Sequence, residues 1–371
     1  MSNKICIITS AHNPFDVRIF HKEAKSLVKA GYDVTLIAQH DREEIVDGIK
    51  IINLRRARNR IDRMTKINWL AFRKALAVKA DIYHFHDPEL IFAGLTLKAL
   101  GSRVIYDVHE DVPGQTLSKY YLPVVIRKPL ARIITIGEKI GARSFDAVVA
   151  ATPKIAEHFP NHKTVTVQNF PLINELVDTR QTPYLLRQNS FVYVGGIAKI
   201  RGIVEMLRAL ELISDVKDVR LHLAGDFSPD QLGDELKVLQ GWQFVVYHGL
   251  IPRQKMSRLL SCSRAGLVLF QPLPNHIDAQ PNKLFEYMSV GLPVIASDFP
   301  LWRQIIDGVG CGLCVDPLDP AAIAAAMRWI LEHPAEAEEM GKRGRNAVEQ
   351  IYNWDIESVK LLNCYKKVLA Q

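Results

Sequence analysis

Between Ile277 and Ile295 the sequence sets Asp278, Pro281, Asn282, Lys283 and Glu286 within one short stretch. Pro281 suits the first turn of a helix, where its missing N–H would be unpaired anyway, and Gly291 followed by Pro293 stops that helix about ten residues later. Asn282 and Glu286 then lie one turn apart on one face, beside Lys283 and the free N–H groups of the first turn. That end of a helix attracts anions. A fixed carboxylate one turn below it can accept the two hydroxyls of a ribose, so the constellation reads as a seat for a nucleoside diphosphate. The competing reading is a plain surface helix in an α/β protein.

Two other groups of residues could do chemistry. Phe191-Val192-Tyr193-Val194 reads as a strand running into Gly195-Gly196, with Lys199 and Arg201 just beyond. Glycines there let backbone approach a phosphate, and Arg201 can grip one with two hydrogen bonds. The GxGxxG dinucleotide fingerprint is absent. In the first half, His12, His86 and His109 each follow an apolar strand pattern, at Lys4–Thr9, Asp81–Phe85 and Arg103–Asp107. Ligands of an open parallel sheet bind beyond the carboxyl ends of its strands, which puts all three histidines on one rim. No spacing such as His-Glu-x-x-His accompanies them, so no metal is expected.

The stretch from Asp278 to Glu286 resembles the Glu-x7-Glu signature of the retaining glycosyltransferases of family 4. Pro281-Asn282-Lys283-Leu284-Phe285-Glu286-Tyr287-Met288 with Gly291-Leu292-Pro293-Val294-Ile295 is similar to its bacterial surface-polysaccharide members. The resemblance implies two Rossmann-like α/β domains facing across a cleft, the GT-B fold, with a last helix crossing back to the first domain. It implies Glu286 at the nucleotide ribose, Asp278 in place of the first Glu, His109 at the donor sugar, and the segment of Gly249 and Leu250 at the base. It implies an Arg at the position of Gly196 and a Lys at that of Arg201, so one cation is missing and Lys199 is the candidate to replace it. The acceptor loop lacks the Gly-Gly seen in many members. It resembles instead a subgroup with Asp-x-Arg-Ile-Phe-His, here Asp16 to His21, and this assigns His12, Asp16, Arg18 and His86 to the acceptor side.

The expected chemistry is transfer of a sugar, with retained configuration, from a nucleoside-diphosphate sugar, UDP being the expected base. The acceptor would be a hydroxyl of a glycan or a polyprenyl-diphosphate-linked carrier in polysaccharide or lipopolysaccharide assembly. Arg201, Lys283, Asp278 and His109 would carry it, without a cofactor or metal; no Asp-x-Asp occurs anywhere in the chain. Two rivals stand beside this reading. A nucleotide-sugar 2-epimerase on the same fold would need no acceptor, and a non-catalytic binder would show no turnover.

Length and composition set the frame. The 371 residues, 48% of them apolar, can bury two cores. The expected division is 1–170, a linker over 171–188, a nucleotide-sugar domain over 189–352, and a closing helix over 353–371. No apolar run approaches the roughly 18 residues of a membrane span, and a secretory signal core is missing, so a cytoplasmic protein is expected. Five scattered cysteines fit a reducing compartment, and Cys311-Gly-Leu-Cys314 has no second pair to complete a zinc site. Residues 55–79 hold nine Lys and Arg against Asp62 alone, interleaved with Ile61, Met64, Ile67, Trp69, Leu70 and Phe72. Without a nucleic-acid motif beside it, the stretch points to an anionic membrane surface, on the inner face of the cell membrane, or to a lipid diphosphate, a solvated face being the alternative.

Overall fold

The computed structural model describes residues 2–118, 122–177 and 182–371, which fall into two compact α/β units. The first comprises Met1–Asn169 with Trp354–Gln371, the second Phe170–Asn353.

The strands of the first unit are β1 Lys4–Ile8, β2 Asp33–Gln39, β3 Glu44–Val46, β4 Ile49–Leu54, β5 Ile82–Phe85, β6 Arg103–Val108, β7 Ala147–Ala150 and β8 Thr164–Thr166. They form one sheet in the order β3-β4-β2-β1-β5-β6-β7-β8, parallel except for the β3–β4 pair at its edge. The central strands read as continuous apolar runs because helices cover both faces of a parallel sheet. Strand order reverses between β1 and β5, and the loops leaving these two strands carry His12 and His86-Asp87. The helix after β1 opens with a π-helical stretch, Val17–Ala24, in which His21 N–H reaches back five residues to Asp16 O at 3.3 Å.

The second unit adds β9 Ser190–Val194, β10 Arg220–Ala224, β11 Val245–Tyr247, β12 Ala265–Val268, β13 Val294–Ser297 and β14 Gly312–Val315. Their order is β11-β10-β9-β12-β13-β14, all parallel, the doubly wound order with its reversal between β9 and β12. Helix Asn282–Ser289 packs directly on these strands. Gly266 makes room for it, since a Cβ there would lie 2.2 Å from the Tyr287 ring, and the Tyr287 hydroxyl accepts the Val194 N–H at 3.0 Å.

The stretch expected to be a linker is anchored instead. Leu176 enters the core of the second unit, as does Phe170, expected to end the first domain, which packs on Phe285. The Tyr184 hydroxyl donates to Arg264 O at 2.7 Å, while Ser257 Oγ donates to Leu176 O at 2.6 Å. These anchors follow no helical or strand period, which hid them; residues 178–181 lie outside the described residues. The last helix, Trp354–Leu369, belongs to the first unit. Trp354 Nε1 donates to Ser26 Oγ at 2.9 Å, Glu357 accepts the Gln168 N–H at 2.9 Å, and the Tyr365 hydroxyl meets His84 Nδ1 at 2.6 Å.

That last bond is fully buried, so Tyr365→Phe leaves an imidazole nitrogen without a partner. The expected loss is about 1–3 kcal/mol of stability, seen as a lower urea midpoint at unchanged m value.

Candidate active site

In the second unit the loop after β9 and the residues after β12 meet where the strand order reverses. Gly202, in the left-handed region at φ +75°, turns the chain after Arg201; a Cβ there would sit 1.9 Å from Leu269 O. The Arg201 guanidinium stacks on Phe270 at 4.0 Å, and the Lys283 ammonium lies 5.1 Å from the same ring and 4.3 Å from that of Tyr193. Lys283 Nζ donates to the Tyr193 hydroxyl at 3.0 Å and packs over Gly195, whose missing Cβ leaves the space. Neither cation has a carboxylate partner among the described residues. Burial, then the charge of Arg201, depresses Lys283 to about 7, and burial also lowers Arg201. Two desolvated cations at a helix N-terminus make an anion site. One turn on, Glu286 accepts from Arg253 Nη1 at 2.7 Å, and Arg253 is held from its other side by Glu175 at 3.0 Å.

In the first unit the strand ends carry a compensated network. Arg18 donates from Nη2 and Nε to Asp107 at 2.8 and 3.2 Å and from Nη1 to Val167 O at 3.0 Å. Its Nε also lies 2.9 Å from Glu23 Oε1, but its hydrogens aim at Asp107. Burial opposes ionisation of Asp107, yet Arg18 and the surrounding histidines hold it well below the usual carboxylate range. Burial, with Asp107 next to it, pushes Glu23 well above that range, and burial lowers His86 to about 4. The ligating atoms of Glu23, His84, His86 and Asp107 lie within 4.8 Å of one another, the dimension of a metal cage. The cation beside this cage is Arg18, and Glu23 Oε2 lies 3.4 Å from His86 Nε2. At the rim, His109 Nε2 meets His12 Nε2 at 3.3 Å. The outer nitrogens lie 3.5 Å from Asp107 and 3.4 Å from Asp87. Each ring thus lies between a carboxylate and the other histidine. Beside His12 opens a cavity of ≈ 470 Å³ lined by Phe15, Gln39, His40 and Arg56 among others.

Comparison with known proteins agrees with this architecture. A profile described as Glycosyltransferase Family 4 matches residues 17–181, and one described as Glycosyl transferases group 1 matches 188–333. The chain belongs to the family 4 glycosyltransferases. The D-rhamnosyltransferase WbpZ of Pseudomonas aeruginosa is 26% identical, over 75% of this chain and 71% of its own. An MMP alpha-(1->4)-mannosyltransferase of Mycolicibacterium hassiacum is 19% identical over 79% and 72%. Among solved structures, a sucrose-phosphate synthase from Thermosynechococcus elongatus superposes with a TM-score of 0.78 at 18% identity, covering 99% of each chain. Anabaena HepE in complex with UDP-glucose gives 0.72 at 13% identity over 98% and 99%. These likenesses establish the GT-B fold of the glycosyltransferase.

Of the residues expected at the donor seat, Gly195, Arg201, Pro281, Asn282, Lys283, Leu284 and Glu286 fall around one strand-end region; Leu284 is buried beneath it. Lys199 instead pairs with Glu235 at 2.5 Å on the surface, so the second cation beside Arg201 is Lys283. Gly196 adjoins open space, Gly249 turns at φ +61°, and Leu250 and Asp278 are exposed. On the other unit the glycosyltransferase brings His12 and His109 together but withdraws three expected acceptor residues. Arg18 and His86 are buried in the charge network, and Asp16 caps the helix by accepting from the Arg18 and Ile19 N–H groups at 2.8 and 3.0 Å. Arg253, Tyr193, Phe270, Glu23 and Asp107 escaped the sequence reading because their partners are distant in sequence; Arg253 and Glu286 are separated by 33 positions.

The basic stretch 55–79 is also altered by the fold. Arg56 reaches Asp41 at 3.3 Å, Arg63 reaches Glu89 at 2.7 Å and Lys74 reaches Glu43 at 3.4 Å, all acids outside the stretch. Arg55 takes Asp62 itself at 2.7 Å.

Lys283 should titrate near 7 in a selectively labelled NMR experiment. Arg201→Gln removes a neighbouring cation and should move that titration upward; an unmoved midpoint would separate the two side chains electrostatically.

Proposed function

We propose that this glycosyltransferase transfers a sugar, with retained anomeric configuration and without a metal ion, from a UDP-sugar to a hydroxyl of a glycan or polyprenyl-diphosphate-linked acceptor. The observation that carries the reading is the pair Arg201 and Lys283, two desolvated cations that have no carboxylate partner among the described residues, beside the N-terminus of helix Asn282–Ser289. A nucleoside diphosphate supplies the missing negative charge, and Glu286, its second oxygen left free by Arg253, accepts the ribose hydroxyls.

In the reaction the acceptor oxygen forms its bond to the anomeric carbon on the face the diphosphate leaves. The breaking C–O pair stays on the diphosphate, whose oxygen takes the acceptor's proton. Charge grows on the leaving group as that bond breaks, and Arg201, Lys283 and the helix N–H groups stabilise it where water is excluded. The resemblance to a rhamnosyltransferase and to HepE, the latter in complex with UDP-glucose, supports a nucleotide-sugar donor.

Glu286→Ala removes a charge-assisted contact worth roughly 1.5–3 kcal/mol and should weaken UDP binding by about ten- to a hundredfold in calorimetry. Arg253 keeps Glu175 as partner, so the variant should fold. An unchanged dissociation constant would remove Glu286 from the seat.

Lys283 gives a second signature. Above pH 7 the free protein holds this amine largely neutral. A bound diphosphate raises its pKa, so binding takes up a proton and affinity falls as pH rises above 7. Calorimetry of UDP at pH 8 in buffers of different ionisation enthalpy should show uptake of a fraction of a proton, and Lys283→Met should abolish it.

A further inference from the structure

Helix Val124–Ser144 of the first unit has no part in the reaction described above. Ala131, Glu138, Gly141 and Ala142 turn one side of it into the unit. On the other side Ile133, Ile136 and Ile140 recur at helical spacing with 66%, 57% and 50% of their surface in solvent, and Val125 is 81% exposed. Arg132, Lys139 and Arg143, spaced by seven and four, flank this row on one edge and are exposed. The one acid of the helix, Glu138, points inward, where burial raises it to about 7. The outward face is therefore apolar along its middle, cationic along an edge and free of negative charge.

Charge and shape together select the partner. Nucleic acid would engage the cations and leave the isoleucines in water. A second copy would cover the isoleucines but bring Arg132, Lys139 and Arg143 toward the same residues across a two-fold axis. Anionic lipid satisfies both, taking apolar side chains below the headgroups and cations among the phosphates.

We propose that helix Val124–Ser144 docks the protein on an anionic lipid surface, lying along the headgroup boundary with Ile133, Ile136 and Ile140 inserted. This relocates the membrane contact from residues 55–79, where Asp41, Glu43, Asp62 and Glu89 already engage several of the cations. No helix among the described residues is long and apolar enough to cross a membrane, and this contact needs none. The inference bears on a lipid-linked acceptor but rests on no substrate, so it stands or falls apart from the donor assignment.

The test is flotation of the full chain with phosphatidylcholine vesicles, with and without phosphatidylglycerol, at low and high salt. Wild type should float with the anionic vesicles at low salt and keep a weaker, salt-resistant fraction at high salt. Each cation near the surface contributes roughly fivefold to partitioning, so the triple change Arg132→Gln, Lys139→Gln, Arg143→Gln should reduce anionic binding on the order of a hundredfold. Ile133→Ser, Ile136→Ser and Ile140→Ser together should remove the salt-resistant fraction, whereas Arg55, Arg56, Arg58 and Arg60 changed to Ser should retain most binding. These surface changes leave the buried face intact, and circular dichroism verifies folding. The proposal is overturned if wild type ignores anionic vesicles at low salt, if either helix variant binds like wild type, or if only the arginine quartet loses binding. A solution dimer that the isoleucine changes dissociate would assign the face to a second copy and overturn it equally.

Discussion

Arg201 and Lys283 rest on one phenylalanine ring, and among the described residues neither has a carboxylate in ion-pair contact; much of the second unit is arranged to hold them there. Desolvating two like charges is unfavourable, as the depressed titration of Lys283 records. The Tyr193 hydroxyl, the open space over Gly195 and the turn at Gly202 fix their positions. Tyr287 ties the helix bearing Lys283 to the end of β9 through the Val194 N–H. An anion placed at this point would relieve the repulsion between these two charges.

The first unit treats buried charge in the opposite way. Arg18 and Asp107 neutralise each other, while burial pushes Glu23 well above the usual carboxylate range and lowers His86 to about 4. Breaking any one member would leave another buried group unpaired, which is far more costly than the pair is stabilising. Above this layer, Asp107 and Asp87 orient His109 and His12, the members of the group that reach the rim. Tyr365 of the returning C-terminal helix closes the network from behind through His84.

Surface charge follows a related rule. A run of cations in sequence is a field only if the fold leaves it unopposed, and residues 55–79 meet acids delivered by the loop before β3 and by the turn of helix after β5. Helix Val124–Ser144 has fewer cations, but its single carboxylate is turned inward and its apolar residues outward.

The strands β1, β5, β6 and β9, the end of the Asn282–Ser289 helix and the cations Arg201 and Lys283 were legible in the chain, because apolar periodicity, glycine turns and proline at a helix start act over a few residues. Glu286 was legible for the same reason, its spacing from Asn282 being a helical turn. What the tertiary structure alone decided is which polar residues are buried and whom they face. Arg18, Asp16 and His86 look like rim residues in sequence, yet one caps a helix and two lie in the interior. Arg253 acquires meaning only when Glu286 and Glu175 are brought to it, and Lys199 loses its expected place to Glu235. Ion pairs and burial depend on distances in space, and a linear sequence specifies these only through packing across the whole domain.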